Sequence, residues 1–291
     1  MNNGKSNKGN NMFKIVSKKI LNPTVIQMEI QAPLVAKKAE AGQFVILRVN
    51  DDGERIPLTI AGYDREKGLV KIIFQVVGGT TELLKHKEVG DCLQDFVGPL
   101  GKMTDISNIK NAVVVGGGVG CAIALPLAKK LKQTGINTQS IIGFRSKDLV
   151  ILEEDFKENS NNLIITTDDG TYGEKGNVCV PLERILNAGN KIDKIFAIGP
   201  LVMMKYVVLT AKKYNVPCIV SMNPIMIDGT GMCGCCRLSV DGQMKFACVD
   251  GPDFDGYEVD FDEMIQRNKI YAEFERKAHE ETCNLFKKEV R

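Results

Sequence analysis

Between Phe13 and about Lys102, apolar and polar residues alternate in short runs: FKIVSKKIL, TVIQMEIQ, QFVILRVN, IPLTIAGYD, LVKIIFQVV and CLQDFVGPL. A period of two sends successive side chains to opposite faces of a strand. Turn signals at Asn22-Pro23, Asp52-Gly53 and Lys67-Gly68 separate the runs. About six strands and a short helical patch from Thr81 to Lys87 predict a small antiparallel β-barrel, whose closure removes sheet edges and leaves a rim for a ligand. Near Asn111 the texture changes. AVVVGGGVG is an unbroken apolar run ending in glycines, and CAIALPLAKKLKQTG carries Ile123, Leu127 and Leu131 at helical spacing. Further apolar strands at SIIGF, NLIITT, KIFAIG and PCIVSM alternate with helical stretches at Pro181 to Ala188 and Leu201 to Tyr214. That alternation predicts a parallel α/β domain.

The stretch from Met226 to Cys248, MIDGTGMCGCCRLSVDGQMKFAC, packs four of the nine cysteines among glycines. It is too tight for a hydrophobic core and predicts a loop folded around something inorganic, with thiolates as ligands. After Asp260 the residues Phe261, Met264, Ile265, Tyr271, Phe274 and Ala278 recur at about helical intervals among charges. They predict a helix lying on the protein's own surface, with a partner interface as the other reading. The expected organisation is a disordered polar tail over 1–11, a barrel over 12–103, an α/β domain over 104–222, the cysteine loop over 223–255 and a helical extension over 256–291. The polar, low-complexity run MNNGKSNKGNN is expected to be that tail, or to follow an early start codon ahead of Met12.

A chain of 291 residues that is 44% hydrophobic suits two globular domains. The net charge of +2 arises from 38 basic and 36 acidic residues spread along the chain, which favours neither nucleic acid nor anionic lipid as partner. No apolar run approaches the roughly 20 residues of a membrane span, so a cytoplasmic protein is expected. Cysteines without a secretion signal point to metal or redox use rather than a disulfide scaffold. His86 and His279 are the only histidines, which argues against a His-dependent triad or a multi-histidine metal site. Cys92, Cys121, Cys179, Cys218 and Cys283 stand in apolar or helical settings and are expected to be buried, unreactive thiols.

Gly116 to Gly120 falls where a strand gives way to a helix, a place where backbone amides approach a pyrophosphate. A ligand-free tight turn is the bland alternative. No acidic residue closes the second strand to mark a ribose 2′-hydroxyl, and Arg145 would suit a 2′-phosphate, so the motif leaves NAD and NADP open. In the barrel, Glu54 to Ile60 sets an arginine, a proline and a threonine close together, and Gln75 to Thr81 repeats a strand, glycine and hydroxyl pattern. Read alone, Glu54 to Ile60 is an edge strand with a surface arginine, and two phosphate-facing candidates in one barrel make a dinucleotide more plausible than either site alone. In the cysteine loop the order Asp228-x4-Cys233-x2-Cys236-x11-Cys248 is close to plant-type [2Fe–2S] spacing, with aspartate at the first position. A structural zinc on Cys233, Cys235, Cys236 and Cys248 is the alternative, for which adjacent Cys235 and Cys236 are awkward.

Barrel with RIPLTI, nucleotide domain with GGGVG, then DGTGMCGCCR resemble, in that order, the ferredoxin reductase-like family. Within it the chain resembles the electron-transfer subunits of dihydroorotate dehydrogenase. It is more similar still to the small subunits of NADH-dependent reduced ferredoxin:NADP+ oxidoreductase, also known as sulfide dehydrogenase subunits. The dihydroorotate type has cysteine where Asp228 stands. The resemblance implies FAD held by Arg55, Pro57, Leu58, Thr59 and Ile60, with Gly79, Thr80 and Thr81 facing its pyrophosphate. It implies NAD(H) at Gly117, Gly118 and Gly120, with Arg145, Asp169, Gly199 and Pro200 lining the cleft, and a [2Fe–2S] cluster on Asp228, Cys233, Cys236 and Cys248. It further implies hydride transfer by cofactors without a protein acid or base, and a larger flavin and iron–sulfur subunit as partner in an electron-bifurcating heterodimer or higher assembly. The rival readings are a dihydroorotate dehydrogenase electron-transfer subunit and, from another class, a zinc-stabilised nucleotide-binding regulatory module.

Overall fold

The computed structural model describes residues 13–189 and 191–289, with side chains through residue 282. The expected tail and Met12 lie outside the described residues, as does the Cys283 side chain. The first six strands are β1 (Ile15–Asn22), β2 (Val25–Gln31), β3 (Phe44–Arg48), β4 (Arg55–Asp64), β5 (Leu69–Gln75) and β6 (Asp95–Leu100). They form one antiparallel sheet in the order β1-β2-β5-β4-β3-β6. Its two ends meet where the start of β1 runs beside residues 90–93, just ahead of β6. Ile15 N donates to Asp91 O at 2.8 Å, Gly90 N to Ile15 O at 2.9 Å and Leu93 N to Phe13 O at 3.0 Å, which closes the sheet into the expected barrel. Alternate residues point inward, and Met28, Ile30, Leu47, Ile72 and Phe74 fill the interior.

Two short helices belong to the barrel. α1 (Pro33–Lys38) buries Val35 and Ala36 and starts with proline at its first turn, and at six residues it is too short to show a period in the sequence. α2 (Gly79–Lys85) is the patch the sequence places at Thr81 to Lys87.

The second half contains β7 (Asn111–Gly117), α3 (Gly120–Gln133), β8 (Asn137–Phe144), α4 (Glu153–Glu158), β9 (Asn162–Thr167), β10 (Glu174–Lys175), α5 (Cys179–Asn187), β11 (Lys194–Ile198), α6 (Leu201–Lys213) and β12 (Cys218–Ser221). The cysteine segment then forms a hairpin, β13 (Arg237–Val240) with β14 (Gln243–Phe246), and continues into β15 (Asp253–Asp255). The large sheet runs β10-β9-β8-β7-β11-β12-β15, parallel except for its last strand. The chain steps outward from β7 through β8 and β9, then returns to the other side of β7 with β11. That reversal opens a crevice beyond the C-terminal ends of β7 and β11, where open α/β sheets bind ligands. Apolar clusters fill both faces of the sheet, Val113 and Ile195 on one and Val114 and Phe196 on the other.

The cysteine segment departs from the expected coreless loop. Leu238, Val240, Cys236 and Cys248 are buried in one apolar cluster with Phe254, Phe261 and Met264. The hairpin is packed against α7 (Phe261–Lys269), whose first turn is capped by the Asp260 side chain accepting from Glu263 N at 2.9 Å. The single helix expected after Asp260 is two. α7 ends at Lys269, and α8 (Ala272–Glu289) lies against α2. Ala278 and Thr282 of α8 cover Gly79, while Tyr271 and Phe274 are exposed at 53% and 71%. No helix among the described residues is long and apolar enough to cross a membrane.

Candidate functional site

A cavity of about 1000 Å³ lies between the barrel and the C-terminal edge of the parallel sheet. That is the upper end of the size usual for ligand sites. Pro57, Leu58 and Thr59 of β4 and Thr81 of α2 line its barrel side. Gly117, Gly118, Gly120, Arg145, Gly199 and Pro200 line its sheet side. Met222, Asn223, Pro224 and Met226 close it where the chain leaves β12 for the cysteine segment. Ten of the fifteen residues expected to hold FAD or nicotinamide nucleotide are therefore gathered around one space, and five are not.

The glycine turn is open where a ligand would meet it. Gly118 has φ +55, a conformation that disfavours other residues, and a Cβ there would meet nothing within 4 Å. Its N–H donates to Gly143 O at 2.9 Å, which pins the turn to β8. Gly120 faces inward, and a Cβ there would lie 2.6 Å from both Gly199 Cα and Ile198 O. The two strand ends at the reversal thus touch through glycine backbone. Behind them, the Thr166 side chain on β9 is buried, lines the cavity and has no hydrogen-bond partner for its hydroxyl. Its neighbour Thr167 is satisfied by Tyr172 O at 2.7 Å. A buried hydroxyl left alone costs about 1–3 kcal/mol, which fits a group held for a ligand. The open glycine turn and the orphaned hydroxyl both suit a bound dinucleotide.

The five remaining residues lie outside the cavity lining. Arg55 donates from Nε to Ile227 O at 2.9 Å, joining the barrel to the residue before Asp228. Ile60 is buried in the barrel core. Gly79 faces α8, and Thr80 is buried and donates to Glu54 at 3.2 Å. Asp169 accepts from Thr171 N at 2.9 Å and Thr171 Oγ1 at 2.7 Å, which holds its carboxyl below the usual range. The adjacent Asp168 lines the cavity instead. Thr81 lines the cavity, but its hydroxyl accepts from Val77 N and Gly78 N, both at 3.0 Å, and donates to Gly78 O. It shapes the turn rather than presenting a free donor. The signal for Thr166 and Asp168 was their place at the end of NLIITT, where a parallel strand meets the crevice.

In the cysteine segment Cys236 and Cys248 are buried with their sulfurs 3.2 Å apart. Cys233 is exposed, and the backbone N–H of Cys235 lowers its thiol below the ordinary value. N–H groups aimed at sulfur are the usual surroundings of a thiolate ligand. Asp228 accepts from Thr230 N at 3.0 Å and from the Thr230 hydroxyl, which holds its carboxyl low. Among the described residues no three Cys, His, Asp or Glu side chains gather as a metal cage. The structure brings Cys236 and Cys248 together, and leaves Cys233 and Asp228 beside them on a loop turned by Gly229, Gly231 and Gly234, all at positive φ. A recess of about 360 Å³ opens beside Cys248, Gly229 and Thr230. Burial raises the Cys248 thiol to about 12, and Cys121 and Cys218 also lie well above the ordinary value for the same reason. The last two are buried as expected, whereas Cys92 and Cys179 are half-buried.

One carboxyl stitches the halves together. Asp253 of β15 accepts from Thr104 Oγ1 at 2.5 Å, across from Ser221 of β12. The residue keeps some surface, but its carboxyl is packed round by protein, and that burial outweighs the Thr104 and Ser221 hydroxyls and raises it to about 6. A carboxyl raised in the folded state contributes stability that is full below its ordinary value of 3.8 and is lost as pH rises through about 6. Asp253→Asn is expected to remove this component and to be more stable than the parent at pH 7.5 by about 1–3 kcal/mol. Thermal melts of both proteins from pH 4 to 8 measure it; superimposable pH profiles would refute it.

The family model for the iron-sulfur cluster binding domain of dihydroorotate dehydrogenase B matches residues 223–260. A dihydroorotate dehydrogenase B (NAD(+)), electron transfer subunit homolog of Thermotoga maritima is 46% identical over 272 residues, 94% of this chain and 96% of that protein. The dihydroorotate dehydrogenase B (NAD(+)), electron transfer subunit of Streptococcus mutans is 34% identical over 257 residues, 85% of this chain and 97% of that one. Among solved structures, a chain of an NADH-dependent reduced ferredoxin-NADP oxidoreductase, described for flavin-based electron bifurcation, is 45% identical. It superimposes with a TM-score of 0.88 over 94% of this chain and 99% of its own. This chain belongs to the family of dihydroorotate dehydrogenase B electron-transfer subunits and their homologues.

Proposed function

We propose that the chain is an NAD(H)-linked electron-transfer subunit with FAD on the barrel side of the cleft, NAD(H) across the glycine turn, and a [2Fe–2S] cluster on Asp228, Cys233, Cys236 and Cys248. It serves a larger flavin and iron–sulfur subunit in a cytoplasmic, electron-bifurcating ferredoxin:NADP+ oxidoreductase complex. The observation that carries this reading is the single cavity shared by β4, the Gly117 to Gly120 turn and the chain entering the cysteine segment. When bound, these groups exchange a hydride between nicotinamide and flavin and single electrons between flavin and cluster.

The protein's part is placement. Pro57, Leu58 and Thr59 offer a flat, largely apolar wall with one hydroxyl. Gly118 leaves room for a pyrophosphate at the start of α3. Arg55, bonded to Ile227 O, fixes the distance between the barrel and the ligand loop. The buried pair Cys236 and Cys248 anchors that loop in the core, while exposed Cys233 and Met232, the latter 87% exposed, bring its other side to the surface where a partner would take electrons.

Similarity to the Streptococcus mutans subunit favours dihydroorotate dehydrogenase as a second reading, and Asp228, in place of a fourth cysteine, counts against it. The purified protein is expected to be coloured by flavin and iron–sulfur absorption and to bleach on adding NADH. A colourless, folded preparation carrying stoichiometric zinc would overturn the proposal in favour of the regulatory module. Co-purification with a dihydroorotate-oxidising subunit would favour the second reading.

A further inference from the structure

Two charged residues line the cavity, Arg145 and Asp168, and they sit side by side. β8 and β9 are parallel with Phe144 opposite Thr167, so Arg145 and Asp168 are the next pair beyond the strand ends. Asp168 N donates to Phe144 O at 3.0 Å, which holds this residue at the edge of the crevice. In a dinucleotide-binding sheet an acidic residue near this edge takes the ribose hydroxyls of the adenosine half. That residue normally closes the second strand, where this chain has Arg145.

The other charged groups nearby are occupied or turned elsewhere. Asp169 is held by Thr171, and Lys147 lies over the Tyr172 ring at 5.7 Å from its centroid. Asp148 does not line the cavity. The Asp168 carboxylate is exposed and makes no hydrogen bond or ion pair among the described residues.

We infer that Asp168 is the residue that selects NAD(H) over NADP(H), by accepting hydrogen bonds from the adenosine ribose hydroxyls and by repelling a 2′-phosphate. The inference rests on the cleft binding a pyridine dinucleotide, as proposed above. A 2′-phosphate would add roughly two negative charges within a few ångströms of this carboxylate, whereas a ribose diol supplies two donors to it. Arg145, the one cation of the cavity, stands beside it, so removing the Asp168 carboxylate would leave a charge that favours a 2′-phosphate.

The test is equilibrium titration of the purified holoprotein and of Asp168→Asn and Asp168→Glu with NADH and with NADPH. The parent is expected to bind NADH at least about tenfold more tightly. Asp168→Asn is expected to shrink that ratio by roughly tenfold, weakening NADH and tightening NADPH together, and Asp168→Glu to retain most of it. The ratio of kcat/KM for flavin reduction by the two nucleotides should move in parallel. A parent that prefers NADPH, or an Asp168→Asn protein with an unchanged ratio and an unchanged melting temperature, overturns the assignment. A parent that binds neither nucleotide overturns the reading of the cleft itself.

Discussion

Gly120→Ala is expected to weaken nucleotide binding by about tenfold or more and to lower the melting temperature by roughly 3–10 °C. The added methyl would sit 2.6 Å from Gly199 Cα and 2.6 Å from Ile198 O. Both atoms are backbone, so no rotamer change relieves the clash. Either α3 tilts or the end of β11 moves, and both carry cavity-lining residues. Overpacking of this kind costs about 1–3 kcal/mol in a close-packed interior. Gly62→Ala is the matching control. It lies in β4, where a methyl would meet only Lys71 side-chain carbons at 3.6 Å or beyond, so its melting temperature and nucleotide affinity should stay near those of the parent. Calorimetry and NADH titration of the two variants measure the contrast. If Gly120→Ala matched Gly62→Ala on both counts, the backbone contact at the strand reversal would not be constraining the site.

Cys236→Ala is expected to remove the iron–sulfur absorption and nearly all bound iron, whereas Cys235→Ala should retain both. Cys236 is 2% exposed, with its sulfur 3.2 Å from that of Cys248, inside the cluster that includes Leu238 and Phe261. Cys235 is half-buried beside Cys233, outside that core. A plant-type cluster on Asp228, Cys233, Cys236 and Cys248 does without Cys235, while a zinc site would need it. Elemental analysis for iron and zinc with electron paramagnetic resonance of the reduced protein gives the result. Flavin content reports separately on the barrel, so loss of iron with flavin retained distinguishes a missing ligand from a chain that has unfolded. Loss of metal from Cys235→Ala with Cys236→Ala unaffected would reverse the ligand assignment.

The alternation of FKIVSKKIL through CLQDFVGPL places the six barrel strands, because a strand half buried against one interior must repeat every two residues. AVVVGGGVG places the first parallel strand and the turn beyond it, because a strand covered on both faces is continuously apolar and the tight turn needs glycine. The spacing of Asp228, Cys233, Cys236 and Cys248 marks the loop as chemistry. These are properties of neighbours in the chain, and a one-dimensional pattern contains them.

Which of two adjacent aspartates faces the cavity was decided by Thr171, which captures Asp169 and leaves Asp168 at the edge. Thr81 caps its own turn, and Gly79 lies under a helix two hundred residues further along the chain. The cysteine segment gained a core because Phe254, Phe261 and Met264 arrive from outside it to cover Leu238 and Val240. Patterns between neighbours in the chain were enough for the two sheets and the glycine turn, and they marked the cysteine segment as a candidate ligand loop. Only the tertiary structure decided which polar groups remain unspent around the cleft, because a hydroxyl or carboxylate is claimed by whichever partner the fold brings within about 3 Å of it.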